Sequence, residues 1–340
     1  MATWHTILKV VQYCSSTFSI FTNLLLIYLI FKKSPKTMLF YKYLLIFTSV
    51  FELHYGIIDL LIKPEIISEK TFWIAETNSS KSLVSMTVGE VLLYVWAAFY
   101  GVTLGNFVMH FCFRYLTITK NNRWVSGIPV LCFWLCIPPF FGICFSSVIY
   151  FCLGSTDSLK AVVLTKIRKF EKFKSDDMSF YGFTLYTAID NWSPVNWRSI
   201  IGNILIVMLI LIAFFIMIKY GMKTYWEIRK LSDVAVNTSE LSKSLQYQLF
   251  ISLVVQAIIP VLLIFVPATF TVLALLGKGR EFHGHIISAS IALFPAIDPL
   301  PVVIIIKPYR NAVIGSFKSI FSKQNQNIHP STLHAQVILF

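Results

Sequence analysis

The chain has 340 residues, of which 56% are hydrophobic and only 13% are charged, and its mean hydropathy is +0.70. This composition excludes an ordinary soluble domain and is typical of a polytopic membrane protein. At about 20 apolar residues per spanning helix, the length predicts about seven spans joined by loops too short to form a separate domain.

Seven long apolar segments predict an all-α membrane protein, a bundle of seven transmembrane helices. Polar or basic stretches separate the segments, and prolines or charged residues mark most of their ends. We expect residues 1–315 to form the membrane domain and residues 316–340 to form a cytoplasmic tail. The predicted helices cover residues 6–31, 43–62, 86–113, 124–150, 199–218, 247–276 and 285–306.

The positive charge is concentrated on one side of the predicted bundle. Basic residues cluster at 32–42, 114–123, 219–243 and 307–323, which follow helices one, three, five and seven. These stretches carry the whole excess of +13, and the rest of the chain is neutral. Because basic loops stay in the cytoplasm, we expect the N-terminus outside and the C-terminus inside. The partners that this face implies are the anionic leaflet of the lipid bilayer and a protein that docks there, not nucleic acid.

The sequence shows no catalytic constellation, no metal-ligand cluster and no cofactor motif, so we expect neither enzyme activity nor a cofactor. Most of the six cysteines fall within predicted helices, where cysteine is usually a small apolar core residue. Cys152 lies near an outer loop, and the sequence leaves open whether it forms a disulfide.

Two N-glycosylation sequons lie on the predicted outer side of the membrane. Asn78 begins one of them and Asn191 begins the other. Both asparagines are expected to carry glycans, although Pro194 directly after the second sequon weakens that expectation.

The most informative stretch is Phe294-Pro295-Ala296-Ile297-Asp298-Pro299-Leu300-Pro301, near the end of helix seven. Each proline removes an amide donor and kinks the helix. A buried aspartate in hydrocarbon needs a partner or a water-lined cavity. The stretch therefore predicts the last helix of a receptor, with Asp298 and Pro299 as hinge and polar contact point. A Pro-kinked transporter helix is the alternative.

Other polar residues within predicted helices indicate a network at the centre of the bundle. Asn23 and Asp298 lie at comparable depths if both helices start outside, and Glu52 lies near the middle of helix two. Intramembrane ionisable groups indicate function by default. The alternative for each is an ordinary interhelical hydrogen bond, worth about 0.6 kcal/mol.

Ligand contacts are expected from the outer halves of helices three, five, six and seven. These segments are aromatic with few charges, which suits a small and fairly apolar molecule. The candidate ligand-binding residues are Glu90, Tyr94, Phe99, Asn203, Phe265, Phe270 and Ser288.

The inner end of helix three carries Arg114 and Tyr115. With the other basic residues of the inner face, this pair is expected to bind a partner protein between the helix ends. The alternative for Arg114 is an arginine that snorkels to the interface. The candidate coupling residues are Arg114, Tyr115, Lys223, Arg229, Lys230 and Arg310.

Several of these stretches together resemble the Str class of nematode serpentine chemoreceptors. The resemblance runs from about residue 7 to 315 and is most specific in helix seven. It implies detection of an odorant or similar small molecule, coupling to a heterotrimeric G protein, and a ciliary plasma membrane. The stretches are Asn23-Leu24-Leu25-Leu26, Ser34-Pro35-Lys36, Tyr41-Lys42-Tyr43-Leu44-Leu45, Arg114-Tyr115, the helix-seven motif and Tyr309-Arg310.

The sequence departs from rhodopsin-type receptors at three points. Phe113 replaces the acid that usually precedes Arg114, no cysteine stands at the outer end of helix three, and no tyrosine follows Pro299 at the usual distance. We therefore expect pivots near Pro260 or Pro267 in helix six and near Pro299 in helix seven, without that family's ion lock.

Two other functions fit seven helices. A ligand-gated channel of the seven-helix odorant type would have its N-terminus inside. A proton-coupled transporter would use Glu52, Asp59 and Asp298, although the chain shows no internal repeat of the kind common in transporters. The sequence leaves the oligomeric state open.

Overall fold

In the computed structural model, seven helices among the described residues are long and apolar enough to cross a membrane, which confirms the predicted seven-helix bundle. The spans are Thr6–Lys33, Tyr41–Ile62, Met86–Ile118, Ile128–Leu153, Trp197–Lys230, Lys243–Ala274 and Glu281–Ile305. The structure describes residues 2–35, 38, 40–78, 82–157, 159–161, 178–187, 194–234 and 240–328. The predicted sequon at Asn191 and the last twelve residues of the predicted tail, 329–340, lie outside these ranges.

The first four helices follow the apolar segments closely. Where they run past the predicted ends, polar residues continue the backbone hydrogen bonds beyond the apolar stretch. Helix α4 ends in a π-helical turn, Ile149–Leu153. The helices are α1 Ala2–Lys33, α2 Tyr41–Ile62, α3 Met86–Ile118 and α4 Ile128–Val148.

Helix α5, Trp197–Val234, extends well past its predicted end at residue 218. The added turns contain lysine, arginine and glutamate, which are good helix formers and need no apolar environment. The length of the apolar segment alone therefore underestimates the length of this helix. The remaining helices are α6, built from Glu240–Pro260, the π-helical turn Val261–Phe265 and Val266–Leu275; α7, built from Glu281–Ile297 and Leu300–Ile305; and α8 Lys307–Ile328.

The expected irregularities at proline occur in both α6 and α7. In α6 the π-helical turn begins directly after Pro260 and ends just before Pro267. In α7 the regular helix stops at Ile297 and resumes at Leu300, so the break contains Asp298 and Pro299. Missing amide donors explain both changes of register.

A three-stranded antiparallel sheet covers one end of the bundle, where the sequence analysis expected only polar loops. The strands are β1 Glu65–Glu69, β2 Phe72–Asn78 and β3 Met178–Thr184, in the order β1-β2-β3. The strand β2 pairs with β1 through a tight hairpin and with β3 from a distant part of the chain. Aromatic and β-branched residues in these strands favour sheet structure. We call this end of the bundle the sheet end.

Helix α7 holds the sheet against the bundle. The hydroxyl of Ser288 accepts a hydrogen bond from the backbone N–H of Ile66 at 2.7 Å. A Cβ atom on Gly284 would lie only 2.2 Å from the carbonyl oxygen of Ile66, so the close approach requires glycine. Every residue of β2 is buried. The sheet therefore closes this end of the bundle.

At the opposite end of the bundle lie the basic residues in or just after the last turns of α1, α3, α5 and α7. We call this end the basic end. All six cysteines are free, including Cys152, so hydrogen bonds and packing, and no disulfide, hold the sheet in place.

The contact between α7 and the sheet predicts that Gly284→Ala destabilises the fold. The added methyl group collides with the Ile66 carbonyl, and overpacking of this kind costs about 1–3 kcal/mol. Thermal unfolding of the purified protein in nanodiscs measures the loss. Gly315→Ala is the matched control, because nothing lies within 4 Å of its Cβ position. Equal melting temperatures for the two variants would contradict the prediction.

Candidate functional site

Two acidic side chains meet at the break in α7. Glu52 of α2 and Asp298 are 2% and 1% exposed, and their carboxyl groups lie within hydrogen-bonding reach of each other. Two carboxyl groups can form a hydrogen bond only if one of them carries a proton. Gln256 of α6 donates to the Oδ2 atom of Asp298 at 2.9 Å and to its carbonyl oxygen at 3.1 Å. The pair therefore joins α2, α6 and α7.

Asn23 of α1 completes the polar contacts around the break. Its side-chain nitrogen donates to the carbonyl oxygen of Pro295 at 3.1 Å. In a regular helix the amide of Pro299 would bond to that oxygen, but proline has no N–H. Asn23 thus supplies a donor that the helix lacks. It reaches α7 at the backbone, one turn before the Asp298 carboxyl that the sequence analysis expected it to meet.

A small polar cavity adjoins the acid pair. The cavity has a volume of about 20 Å³, which is enough for one or two water molecules. His110 lines it and shares a 2.9 Å hydrogen bond with Thr48. Asn106 Oδ1, His110 Nδ1 and Asp298 Oδ1 are buried polar atoms without a hydrogen-bond partner among the described residues. The sequence indicates Asn106 and His110 only as polar residues within helix three and does not indicate Thr48, because their partners depend on which helices face each other.

A second buried acid, Asp59, lies on α2 towards the sheet end. It accepts hydrogen bonds from the indole of Trp96 at 3.3 Å and from the hydroxyl of Ser16 at 3.4 Å. Asp59 therefore has partners of its own in α1 and α3, separate from those of the pair at the α7 break.

Four of the predicted ligand residues lie around one aromatic core near the sheet end. Tyr94, Phe99, Phe265 and Phe270 are half-buried against this core. The ring of Phe99 packs at 5.0 Å from that of Phe51 and at 5.3 Å from that of Tyr55. Phe270 stacks on His283 at 5.0 Å.

The polar members of the predicted ligand set have other surroundings. Ser288 is 4% exposed, and its hydroxyl bonds to the sheet and donates to the Gly284 carbonyl at 2.9 Å. Glu90 is exposed, and Asn203 is half-buried on α5. The structure therefore brings the aromatic candidates together but not the polar ones.

Arg114 is buried at the basic end, with 1% of its surface exposed. Its Nη2 atom donates to the carbonyl oxygen of Gln246 in α6 at 2.9 Å, and its guanidinium carbon lies 5.2 Å from the ring centre of Tyr41 in α2. The snorkelling alternative for Arg114 is therefore wrong, because its head group points into the bundle. The guanidinium joins α3 to α6 and α2, and it has no acidic partner within the part of the chain that the structure describes.

The other predicted coupling residues form a surface of cations and aromatic rings. The Nζ atom of Lys223 lies 5.5 Å from the ring centre of Tyr115, and the ring of Tyr115 packs 5.5 Å from that of Tyr220. Such contacts orient lysine and arginine head groups on the surface. Further contacts are Arg229 over Trp226 at 5.9 Å, Lys230 to Glu227 at 2.9 Å and Arg310 to the Ile304 carbonyl at 3.3 Å.

Tyr309 connects the start of α8 to the turn after α1. Its hydroxyl lies 2.6 Å from the Ser34 hydroxyl and 3.5 Å from the Met38 sulfur. Burial raises the pKa of Tyr309 to about 12, so the hydroxyl stays neutral at physiological pH. The sequence indicated this residue only through the resemblance of Tyr309-Arg310 to a known motif.

The predicted glycosylation site at Asn78 lies inside the fold. Asn78 ends β2, pairs with Met178 of β3, and is 1% exposed. A glycan on this side chain has no room in the folded protein, so the burial of Asn78 argues against its modification.

Comparison with known proteins gives consistent matches along the chain. The family model described as serpentine type 7TM GPCR chemoreceptor Str matches residues 8–314. The G-protein coupled receptor str-217 of Caenorhabditis elegans is 31% identical over 310 residues, covering 90% of this chain and 88% of that protein. Serpentine receptor class r-10 of the same organism is 24% identical, covering 92% and 91%.

The fold is also similar to that of squid rhodopsin. The TM-score is 0.60, with 12% sequence identity, covering 94% of this chain and 82% of the rhodopsin chain. At this identity the similarity concerns the arrangement of helices only.

The acid pair predicts that Glu52→Ala lowers the melting temperature much more than Glu52→Gln. Alanine removes the Glu52 contact of the buried Asp298 carboxyl and leaves it with Gln256 alone, at a cost of about 1–3 kcal/mol, whereas an amide at position 52 can still donate to it. Thermal unfolding in nanodiscs compares the variants. Glu227→Ala is the control, because its ion pair with Lys230 lies at the surface. If Glu52→Ala melts like this control, the pair does not stabilise the bundle.

Proposed function

The chain belongs to the Str family of serpentine seven-transmembrane chemoreceptors, and we propose that it senses a small odorant-like molecule and activates a heterotrimeric G protein. Membership of a receptor family favours this function over that of a channel, a transporter or an enzyme. The observation that carries the coupling step is the hydrogen bond from Arg114 to the Gln246 carbonyl, since it holds α3 and α6 together at the basic end.

In the proposed orientation the sheet end faces outside and the basic end faces the cytosol. The excess charge of +13 supports this, because the loops that carry it are the ones that the positive-inside rule retains in the cytoplasm. The proposed location is the plasma membrane of a sensory cilium.

The proposed ligand site lies among the half-buried aromatic residues near the sheet end, which are Tyr94, Phe99, Phe265 and Phe270. Aromatic surfaces with few charges suit a small apolar ligand. In this proposal Glu90, Asn203 and Ser288 border the site. A ligand that displaces Ser288 would also loosen the contact between α7 and the sheet.

Activation is proposed as a population shift, in which the ligand binds more tightly to an open state than to the closed arrangement described here. The π-helical turn Val261–Phe265 and the break at Asp298 and Pro299 are the proposed pivots. Hydrogen bonds to charged groups contribute about 1.5–3 kcal/mol, so ligand binding can offset the loss of the bond between Arg114 and Gln246.

Opening would add the Arg114 guanidinium to the basic surface that already carries Tyr115, Lys223, Arg229, Lys230 and Arg310. This surface is the proposed contact for the G protein. Its charge also suits the anionic lipid of the inner leaflet.

The proposed orientation predicts that an epitope tag on the N-terminus is stained in intact cells and a C-terminal tag only after permeabilisation. The channel alternative predicts the opposite pattern. Flow cytometry of two receptors that differ only in the position of the tag separates the two outcomes.

The proposed role of Arg114 predicts that Arg114→Glu abolishes ligand-evoked signalling while surface expression stays within about twofold of wild type. The wild-type receptor is first screened against volatile compounds and metabolites in cells that express a promiscuous G protein, and the variant is then tested with the active compound. Arg114→Gln keeps a hydrogen-bond donor without the charge, and it tests the same role if Arg114→Glu does not fold. Arg123→Glu is the control, because Arg123 is an exposed cation of the same end. Unchanged signalling in both Arg114 variants would contradict the proposed role.

A further inference from the structure

A groove of about 580 Å³ opens between the sheet-end halves of α3 and α4. Its volume falls within the range of about 300–1,000 Å³ that is typical of small-molecule sites. The side chains along its rim are among the exposed apolar residues of the bundle, at 60% for Val91 and 66% for Ile143. In a membrane this opening faces hydrocarbon.

The two helices touch closely beyond the deep end of the groove. A Cβ atom on Gly101 would lie 2.3 Å from the Phe141 carbonyl, and one on Gly105 would lie 2.6 Å from the Cα atom of Pro138. At the other end Tyr94 packs against Tyr150 at 5.6 Å and stacks on Tyr181 of β3 at 5.8 Å. The helices also touch within the lining, where a Cβ atom on Gly142 would lie 2.7 Å from the Cγ2 atom of Val102. The groove is thus a bounded concavity that lies over the contact between α3 and α4.

Access from the aqueous side is obstructed by the sheet. Trp73 and Ala75 of β2 and Phe183 of β3 are buried against the aromatic core, and β1 is bonded to α7 through Ser288. A ligand for the aromatic core would therefore reach it more directly through the side of the bundle than through the sheet end.

The groove contains few polar groups. The hydroxyls of Tyr94, Ser146, Ser147 and Tyr150 belong to lining residues, and that of Ser146 donates to the Tyr94 carbonyl at 3.3 Å. An apolar molecule with one hydrogen-bonding group matches this lining.

Phe99 connects the groove to the interior. It lines the groove and packs on Phe51 and Tyr55, and Tyr55 packs on Phe294 at 6.2 Å. Phe51 and Phe294 line the polar cavity beside the acid pair. An occupant of the groove therefore lies two side chains from the cavity at the α7 break.

We propose that this groove binds a lipophilic small molecule with a single hydrogen-bonding group, which enters from the hydrocarbon core of the bilayer between α3 and α4. The proposal rests on the chemoreceptor function proposed above and specifies the entry route and chemical class of ligand. Bilayer acyl chains share much of this chemistry, so the test distinguishes the two sources.

The test is photolabelling of the purified full-length receptor in phosphatidylcholine nanodiscs. The probe is a medium-chain alkanol that carries a diazirine and an alkyne, and peptide mass spectrometry locates the label. We expect saturable labelling of groove residues on α3 and α4 that an excess of unlabelled alkanol prevents. No G protein is present, so this result is independent of whether the receptor signals.

Ser147→Trp fills the groove from α4 and should reduce labelling at least about tenfold. Ala98→Trp fills it from α3 and replaces Ser147→Trp if that variant misfolds. Cys136→Trp is the matched control, because Cys136 is exposed on α4 outside the groove, and labelling should stay within about twofold.

Two outcomes would overturn the proposal. One is alkanol labelling that is equal in the two groove-filling variants and the control. The other is an absence of saturable alkanol labelling while a photoreactive phosphatidylcholine labels the groove with the same sensitivity to tryptophan, which would assign the groove to bilayer lipid.

Discussion

The structure depends on the requirement that polar groups within an apolar bundle find their partners in the protein. The prolines of α7 remove amide donors in the middle of a span, and Asp298 adds a carboxyl group at the same point. Asn23 supplies a donor to the freed carbonyl of Pro295, Gln256 bonds to Asp298, and Glu52 faces it. Helices α1, α2 and α6 consequently all contact α7 at this break.

Helix α3 connects this centre with both ends of the bundle. It carries Phe99 beside the aromatic core, His110 in the polar cavity and Arg114 at the basic end. One continuous helix thus presents side chains to the aromatic core, to the polar cavity and to the basic end. The proposed pivots in α6 and α7 lie at proline, where the helical hydrogen bonding is already interrupted.

The arrangement of helices is similar to that of squid rhodopsin at 12% identity. Arg114 has no acidic neighbour at position 113 and bonds instead to a backbone carbonyl of α6. The sheet is held by Ser288 and by the close approach at Gly284, and all six cysteines are free. The helix positions are thus maintained by hydrogen bonds to backbone groups and by packing.

The sequence by itself determined the seven spans, the irregularities near Pro260 and Pro299, and the position of Glu52 and Asp298 within apolar spans, because apolar length, missing amides and a charged residue in an apolar segment are local properties. Tertiary structure decided the rest. The pairing of β2 with β3, the inward direction of Arg114, the bond between Ser288 and Ile66, and the burial of Asn78 all depend on segments that are distant in the chain. Such contacts follow from which helices and strands become neighbours, and no local pattern of residue types contains that information.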